Sequence, residues 1–340
     1  MGLVLQWIAS RLFMLQGWSI GVVIPARNES KHIGRVLSTI PSFVDHVVVV
    51  DDGSTDDTGE IALSTHCPSE LSIVKLGGLG VGKAIDSGHQ KLLEIFADSN
   101  FVSAVMAGDG QMDPNDLEGL VTCVISGETQ HVKGDRSIHS EGLRSMPLIR
   151  RLATLLLSFF TTLAAGQKIS DSQCGYTATS DEVLRNWNWE KSWSGYGYPN
   201  FWIIQLAKHG WKISHHPVRA IYGDEISGIN NFSFFIKVGI MLTIEHHARN
   251  LFWLFSFKVT PHTIFAFISY FIGWIAIIPG ISTDLERELV ERGVPIFIIV
   301  FFAWFCAHIF DRRAVVVKQQ LRSTNSIRKT NSVTRGDFNA

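Results

Sequence analysis

Three stretches of this chain place carboxylates directly after apolar runs. Val47–Val50 leads into Asp51 and Asp52, and Phe101–Met106 leads into Ala107-Gly108-Asp109-Gly110-Gln111-Met112-Asp113-Pro114. A third run ends in Pro25-Ala26-Arg27-Asn28-Glu29-Ser30. One acid in one turn is ordinarily solvated or a helix cap, and Asp113 before Pro114 has the form of a cap. Acid-bearing tips gathered on one rim have a chemistry in common. Carboxylates accept hydrogen bonds from a base or a ribose, and hard oxygen ligands hold Mg2+ or Mn2+ on phosphates. Asp51, Asp52 and Asp109 therefore point to a nucleotide and a divalent cation, provided that the fold brings them to one cleft.

A fourth stretch, Gly77-Gly78-Leu79-Gly80-Val81-Gly82-Lys83, fits the G-x-x-x-x-G-K pattern of an ATPase phosphate loop. That loop needs Ser or Thr next, to reach magnesium, and this chain has Ala84. The stretch reads instead as a glycine-rich turn that carries one lysine into the same cleft.

The elements that must position these residues alternate in type. SIGVVIP (19–25), HVVVV (46–50), LSIVKL (71–76) and FVSAVM (101–106) are strand-like. Helical spacing falls at 29–40, after Thr55 or Asp56 as cap, and at 82–96. This alternation predicts an α/β fold with a mainly parallel sheet, whose ligands bind beyond the carboxyl ends of the strands.

The second half changes character. Residues 143–165 form a long apolar helix with a basic start, and 231–258 are rich in Phe and Trp. Both read as helices lying at a membrane interface. Residues 263–281 and 294–310 carry no acid, Lys or Arg, and each approaches the roughly 20 residues that a bilayer core requires. Between them, 282–293 holds four acids and two arginines, and the chain from Asp311 onward holds seven Lys/Arg and two Asp. The positive-inside rule then puts both the tail and the α/β domain on the cytoplasmic side.

Composition agrees with a lipid-facing portion. The 340 residues are 18% charged, and the mean hydropathy is +0.17. A net charge of −1 gives no footprint for nucleic acid. The four cysteines are scattered, with no CxxC pair, and read as reduced thiols. Residues 1–18 lack the basic flank of a signal peptide and read as a leader.

In order along the chain, VVIPARNE (22–29), VVVVDDGSTDDT (47–58), GVGKAIDSG (80–88), AGDGQMDP (107–114), KGDR (133–136) and DSQCGY (171–176) resemble glycosyltransferase family 2. Within it, the closest likeness is to polyprenyl-phosphate hexosyltransferases related to dolichol-phosphate mannose synthase. The resemblance covers residues 19–228, and the two C-terminal apolar segments are similar to membrane-anchored members. It implies a nucleotide-sugar-binding glycosyltransferase A-type fold and a donor of the GDP-mannose or UDP-glucose type. It also implies Mg2+ or Mn2+, a dolichyl or undecaprenyl phosphate acceptor, and inversion at the sugar carbon. The domain plan it suggests is a leader (1–18), a cytoplasmic glycosyltransferase domain (19–230, with 143–165 an interface helix), an interface helix region (231–260), two transmembrane helices (261–313) and a basic cytoplasmic tail (314–340).

Carried over motif by motif, Pro25, Arg27, Asn28, Glu29, Asp51, Asp52, Lys83 and Gly110 belong to the nucleotide-sugar half. Asp109 and Gln111 face metal and diphosphate. The family often has an acid two residues before position 109, and here that position is Ala107. Asp113 is then either a substitute metal ligand or only a cap. On the acceptor side, Lys133, Arg136, Arg150, Arg151 and Gln173 are the candidates for phosphate, since arginine matches phosphate oxygens with a planar fork. Arg150 and Arg151 equally suit anionic lipid. Asp171 is a candidate for orienting the acceptor. A lipid phosphate is largely ionised at neutral pH, so no general base is required. Two alternatives stay open: a membrane scaffold or pseudoenzyme that binds nucleotide sugar without turnover, and a processive polysaccharide synthase. No Q-x-x-R-W motif of the latter is present. The sequence leaves self-association open.

Overall fold

The computed structural model describes residues 17–138, 148–219, 221, 231–256, 259–278 and 296–336, with a few positions between 283 and 291. Seven strands form one sheet: β1 (Ser19–Ala26), β2 (His46–Asp52), β3 (Glu70–Leu76), β4 (Phe101–Val105), β5 (His131–Asp135), β6 (Thr177–Ser180) and β7 (Ile213–Pro217). Their order is β3-β2-β1-β4-β6-β5-β7. Strands β1 to β4 pair in parallel, as do β5 and β7, and β6 runs antiparallel between β4 and β5. The sheet is thus mostly parallel with one reversal. All seven residues of β2 are buried, the signature of a strand covered on both faces.

The reversal at β6 is what builds a site. Thr177, at its start, is in register with Val105 at the end of β4 and with Lys133 near the end of β5. The residues that precede β6, 171–176, therefore reach the same edge as those that follow β1, β2, β4 and β5.

The helices in and around this sheet are α1 (Ile33–Ser38), α2 (Thr58–Ser64), α3 (Val81–Ile95), α4 (Leu117–Ile125), α5 (Leu148–Ala165), α6 (Asp181–Arg185) and α7 (Tyr198–Lys208). Helix α1 is shorter than the expected 29–40. Asn28 has φ 58°, and the Glu29 carbonyl accepts from both His32 and Ile33, so regular winding begins only at Ile33. On one sheet face, Ile20, Val22 and Ile24 pack with Ile33, Val36 and Leu37 of α1 and with Leu117, Leu120 and Val121 of α4. On the other, α3 lies close on β1. A Cβ at Gly21 would come within 2.6 Å of the Leu92 methyl groups, so only glycine admits that approach.

The chain divides into two compact units. The first comprises Met1–Phe159, Ile169–Trp202 and Lys212–Val238, and the second Phe160–Lys168, Ile203–Trp211 and Gly239–Ala340. The second contains α8 (Asn231–Leu254) from Gly239 onward, α9 (Pro261–Ile275) and α10 (Ile296–Gly336). Its centre is an ion pair, Arg249 to Asp311 at 2.6 Å, with both side chains fully buried.

The two expected transmembrane helices are not found. Among the described residues no helix is long and apolar enough to cross a membrane. Helix α9 has 15 residues, about 22 Å at 1.5 Å per residue, against a hydrocarbon core of about 30 Å. The end of the expected 263–281 span and most of the 282–293 loop lie outside the described residues. Helix α10 meets Asp311, Arg312 and Arg313 within its first 18 residues. Residues 314–336 continue α10, and Ala314 and Val315 are buried against Trp253.

Candidate active site

One side of this edge is a set of turns after β1, β2 and β3, tied together by carboxylates. Asp51 Oδ1 accepts from the Ser54 amide at 2.9 Å, shaping the turn after β2. Gly53, with φ 74°, sits where a Cβ would be 2.8 Å from the Gly78 nitrogen, so the turn after β2 rests on the turn after β3. Asp52 uses both oxygens on that second turn, accepting from Leu79 N at 2.6 Å and Gly80 N at 2.7 Å. Asn28 joins the turns after β1 and β2: its amide donates to Ser54 Oγ, and its Oδ1 accepts from Thr55 N. The Glu29 amide donates to Thr58 Oγ1. Arg27 lies over the glycine-rich turn, with its guanidinium nitrogens 3.6 Å from where a Gly78 Cβ would stand.

Asp56 is the carboxylate that ties down the start of α2. It accepts from Thr58 N and Thr58 Oγ1 with one oxygen and from Ser30 N with the other. Its slight burial works upward on its pKa, but those hydrogen bonds outweigh it and bring the pKa down to about 2.

The loop after β4 carries Asp109. Its Oδ1 accepts from the Gln111 amide at 2.9 Å, an Asx turn, and the loop is pinned to β1 by Gly108 N donating to the Pro25 carbonyl. Gly110 has φ 75°. Asp113 is a cap: Oδ1 accepts from Asn115 N at 2.9 Å and Nδ2 at 2.8 Å, and Oδ2 lies 3.4 Å from Arg219. In this arrangement Asp113 serves as the cap at Pro114. Among the described residues no three His, Cys, Asp or Glu side chains converge as a metal cage. What remains is one carboxylate, Asp109, beside Gln111. That set fits a divalent cation held jointly with donor phosphates, and not a self-contained protein site.

The other side, after β5 and before β6, is built on buried charge. Asp171, 1% exposed, accepts from Arg136 Nε at 2.7 Å, Arg136 Nη2 at 3.0 Å, and the amides of Arg136, Gln173 and Cys174. Burial raises its pKa, but the Arg136 hydrogen bonds and the charges of Arg136 and Lys133 more than reverse that and hold it below the ordinary carboxylate value. An acceptor-saturated, firmly ionised carboxylate orients Arg136 and is poorly placed to take a proton. Gln173 donates to Asn200 Oδ1 at 2.8 Å, which links the loop to α7.

Lys133 departs from its expected role. It is 1% exposed and donates to the Cys174 carbonyl, and burial depresses its pKa. A lysine buried on β5 supports the 171–176 loop from beneath and does not offer an exposed cation. Arg150 falls in the first turn of α5, and its side chain lies outside the described residues. Arg151, on the same turn, is half-buried.

Below the loop, His89, His131, Lys133, Thr177, Tyr198 and Trp202 help to line a cavity of about 30 Å3, roughly the size of one water. Burial pushes the pKa of His89 and of His131 down to about 3, so both are neutral at physiological pH. Nearby, Asp86 is 2% exposed and accepts from Tyr198 at 2.6 Å, and burial raises its pKa against the opposing influence of Ser192, Tyr198 and Lys83. Asp56, Asp86, Tyr198 and Asn200 were not among the sequence candidates. Asp56 entered the sequence reading only as a helix cap, and Asp86 leaves a signal as an acid on the buried face formed with Ile85, His89 and Leu92.

The mostly parallel sheet gathers the carboxylate-bearing tips and the Arg136–Asp171 pair at one edge. The model of "Glycosyl transferase family 2" matches residues 21–187, and the chain belongs to that family. An uncharacterized protein of Methanocaldococcus jannaschii is 33% identical over 207 residues, covering 60% of this chain and 82% of that one. The UDP-N-acetylglucosamine–dolichyl-phosphate N-acetylglucosaminyltransferase of Methanococcus voltae is 28% identical over 218 residues, covering 60% and 86%. Among solved structures, glucosyl-3-phosphoglycerate synthase from Mycobacterium tuberculosis in complex with UDP superposes with TM-score 0.51 at 20% identity, over 71% of this chain and 83% of that one. That likeness carries the fold.

Proposed function

We propose that this glycosyltransferase moves a hexose-type sugar from a nucleotide diphosphate sugar to a polyprenyl phosphate at a membrane surface. The observation that carries the reading is the Arg136–Asp171 pair, fixed on the same sheet edge as Asp51, Asp52 and Asp109. It presents an oriented cation for an acceptor phosphate opposite a donor pocket. The Methanococcus voltae relative, named for a dolichyl-phosphate acceptor, supports that choice of acceptor.

In this mechanism Pro25, Arg27, Asn28, Glu29, Asp51, Asp52, Lys83 and Gly110 hold the nucleotide. Asp109, with Gln111 beside it, would hold Mg2+ or Mn2+ together with the diphosphate; the ion supplies charge stabilisation to the departing group. Arg136, aligned by Asp171, positions the acceptor phosphate in line with the sugar. A phosphate oxygen attacks the anomeric carbon as the bond to the nucleotide diphosphate breaks, with inversion. Positioning and charge stabilisation are the whole of the catalysis.

The membrane part of the reading rests on helices with reversed polarity. On α5, Leu148, Leu152, Leu155, Leu156 and Phe159 are exposed, while Thr154, Ser158 and Thr161 are buried. On α8, Ile236, Ile240, Ile244, Leu251 and Phe252 are exposed, while His246, Arg249 and Asn250 are buried. Apolar faces of that extent suit burial in lipid. Arg150 and Arg151 then stand at headgroup depth, on the first turn of α5. The test is incubation of the protein in membranes with a panel of labelled nucleotide sugars and polyprenyl phosphate. Label extracted with lipid from one donor establishes the reaction. Donor binding with no lipid-linked product would favour the pseudoenzyme reading, which the single carboxylate at Asp109 keeps in view.

A further inference from the structure

The loop that carries Asp109 is covered by a cation from another element. Arg35, on α1, has its guanidinium against Gly110: a Cβ at that glycine would stand 2.5 Å from Arg35 Nη2 and 3.5 Å from Cζ. Gly110, at φ 75°, both makes the turn and leaves the space that the guanidinium fills. The loop itself is short of charge. Ala107 offers no side-chain oxygen, Asp113 accepts from Asn115 and lies 3.4 Å from Arg219, and Asp109 accepts from the Gln111 amide.

From this juxtaposition we propose that Arg35 is a diphosphate-binding residue, supplying part of the positive charge that a second metal-binding acid would otherwise secure through the ion. The inference rests on the reading of this edge as the nucleotide-sugar site. A guanidinium fork matches phosphate oxygens in a way that a carboxylate-bound ion does not duplicate, so the two contribute in parallel. The ligand chemistry is the diphosphate, not the base or the sugar. A donor therefore keeps measurable affinity without metal, and Arg35 contributes to that residual affinity through the diphosphate.

The experiment is calorimetric binding of UDP and of GDP to the full chain, with excess Mn2+ and with EDTA, for wild type, Arg35→Gln and Arg35→Lys. Uridine and guanosine serve as phosphate-free probes. The expected result is that wild type binds one of the diphosphates more weakly in EDTA but still measurably. Arg35→Gln should lower that metal-free affinity by roughly tenfold or more, with a smaller loss in Mn2+, and Arg35→Lys should recover part of it. Binding of the matching nucleoside should not change. Unchanged metal-free affinity in Arg35→Gln overturns the inference and leaves the glycosyltransferase site standing. Equal losses for nucleoside and diphosphate also overturn it, by showing that Arg35 only packs on the loop. Wild type that binds neither diphosphate even with Mn2+ overturns the donor site itself, and this inference with it.

Discussion

The proposed donor and acceptor sides of the sheet edge use their acids differently. On the donor side, Asp51, Asp52, Asp56 and Asp109 accept from backbone amides, each shaping a turn. On the acceptor side, Asp171 is buried and paired with a guanidinium, over a lysine that is itself buried. The first arrangement makes a rim of loops preformed by carboxylate–amide hydrogen bonds, with Asp51 and Asp52 buried beneath it. The second fixes a single cation in direction at the expense of a buried ion pair. A diphosphate with a sugar and a base can be recognised by many weak contacts, whereas one acceptor phosphate must arrive in line with one carbon.

The sharpest way to break that contrast is to remove the acceptor-side cation. Arg136→Ala strands the Asp171 carboxylate, and losing one partner of a buried pair costs about 3–5 kcal/mol of stability. The expected outcome is a large drop in thermal midpoint together with loss of transfer. The double variant Arg136→Met with Asp171→Asn should regain part of the stability, because no unpaired charge is left and asparagine keeps an oxygen for the amides of Gln173 and Cys174. It should regain none of the transfer. Recovery of both in the double variant would sink the assignment of Arg136.

Asp109→Asn is the donor-side counterpart, with the opposite balance. Asparagine keeps an oxygen for the Gln111 amide, so the thermal midpoint should move little. Losing the charge on the one remaining ion ligand should lower transfer by about a hundredfold or more. A variant that transfers normally across a range of Mn2+ concentrations would remove Asp109 from the mechanism.

A third test uses pH. His89 and His131 have folded pKa values of about 3 against an ordinary 6.5. The unfolded chain therefore binds protons that the folded chain refuses. Stability is full above about 6.5 and falls as pH drops toward 3, at up to about 1.4 kcal/mol per pH unit for each histidine. Denaturant midpoints measured from pH 7.5 to 4.5 should fall, and His131→Gln should flatten the slope. A wild-type slope that the variant does not change would mean that acid acts elsewhere.

How much of this was legible in the sequence follows the same divide. The donor rim was readable, because strand runs ending in acids and glycines announce both the element and its tip. The parallel strands and the joint placement of Asp51, Asp52 and Asp109 follow from that pattern. The acceptor side was readable only as motif letters. That Lys133 points into a buried layer depends on β5 lying between β6 and β7, a non-local pairing with no sequence signature. Asn200 and Tyr198 gain their roles only once α7 packs near the 171–176 loop. The expectation for the C-terminal segments failed for a related reason. Long apolar runs state that a helix meets lipid or core, but not where it stops. Helix α10 instead winds on past the end of its apolar run at Phe310, through Asp311, which pairs with Arg249 of α8.

The smallest expected effect concerns the G-x-x-x-x-G-K stretch, where the amides matter more than the letters. In an ATPase loop, successive backbone amides must point at phosphate. Here Leu79 N and Gly80 N are taken by Asp52, and Gly82 N donates to the Ser194 carbonyl at 3.0 Å. Three amides that a phosphate would use are bonded within the protein, and Ala84 offers no hydroxyl for magnesium. Wild type should therefore show no magnesium-dependent hydrolysis of ATP. Lys83 keeps a charge at the donor edge without a cradle around it, so Lys83→Ala should weaken donor binding only several-fold, within the range of a single partly solvated charge contact of about 1 kcal/mol. The measurement is phosphate release from ATP beside donor titration of the variant. Robust ATP hydrolysis that Lys83→Ala abolishes would show that the Asp52 contacts open to admit phosphate, and the donor rim would then be a switchable loop and not the preformed one described.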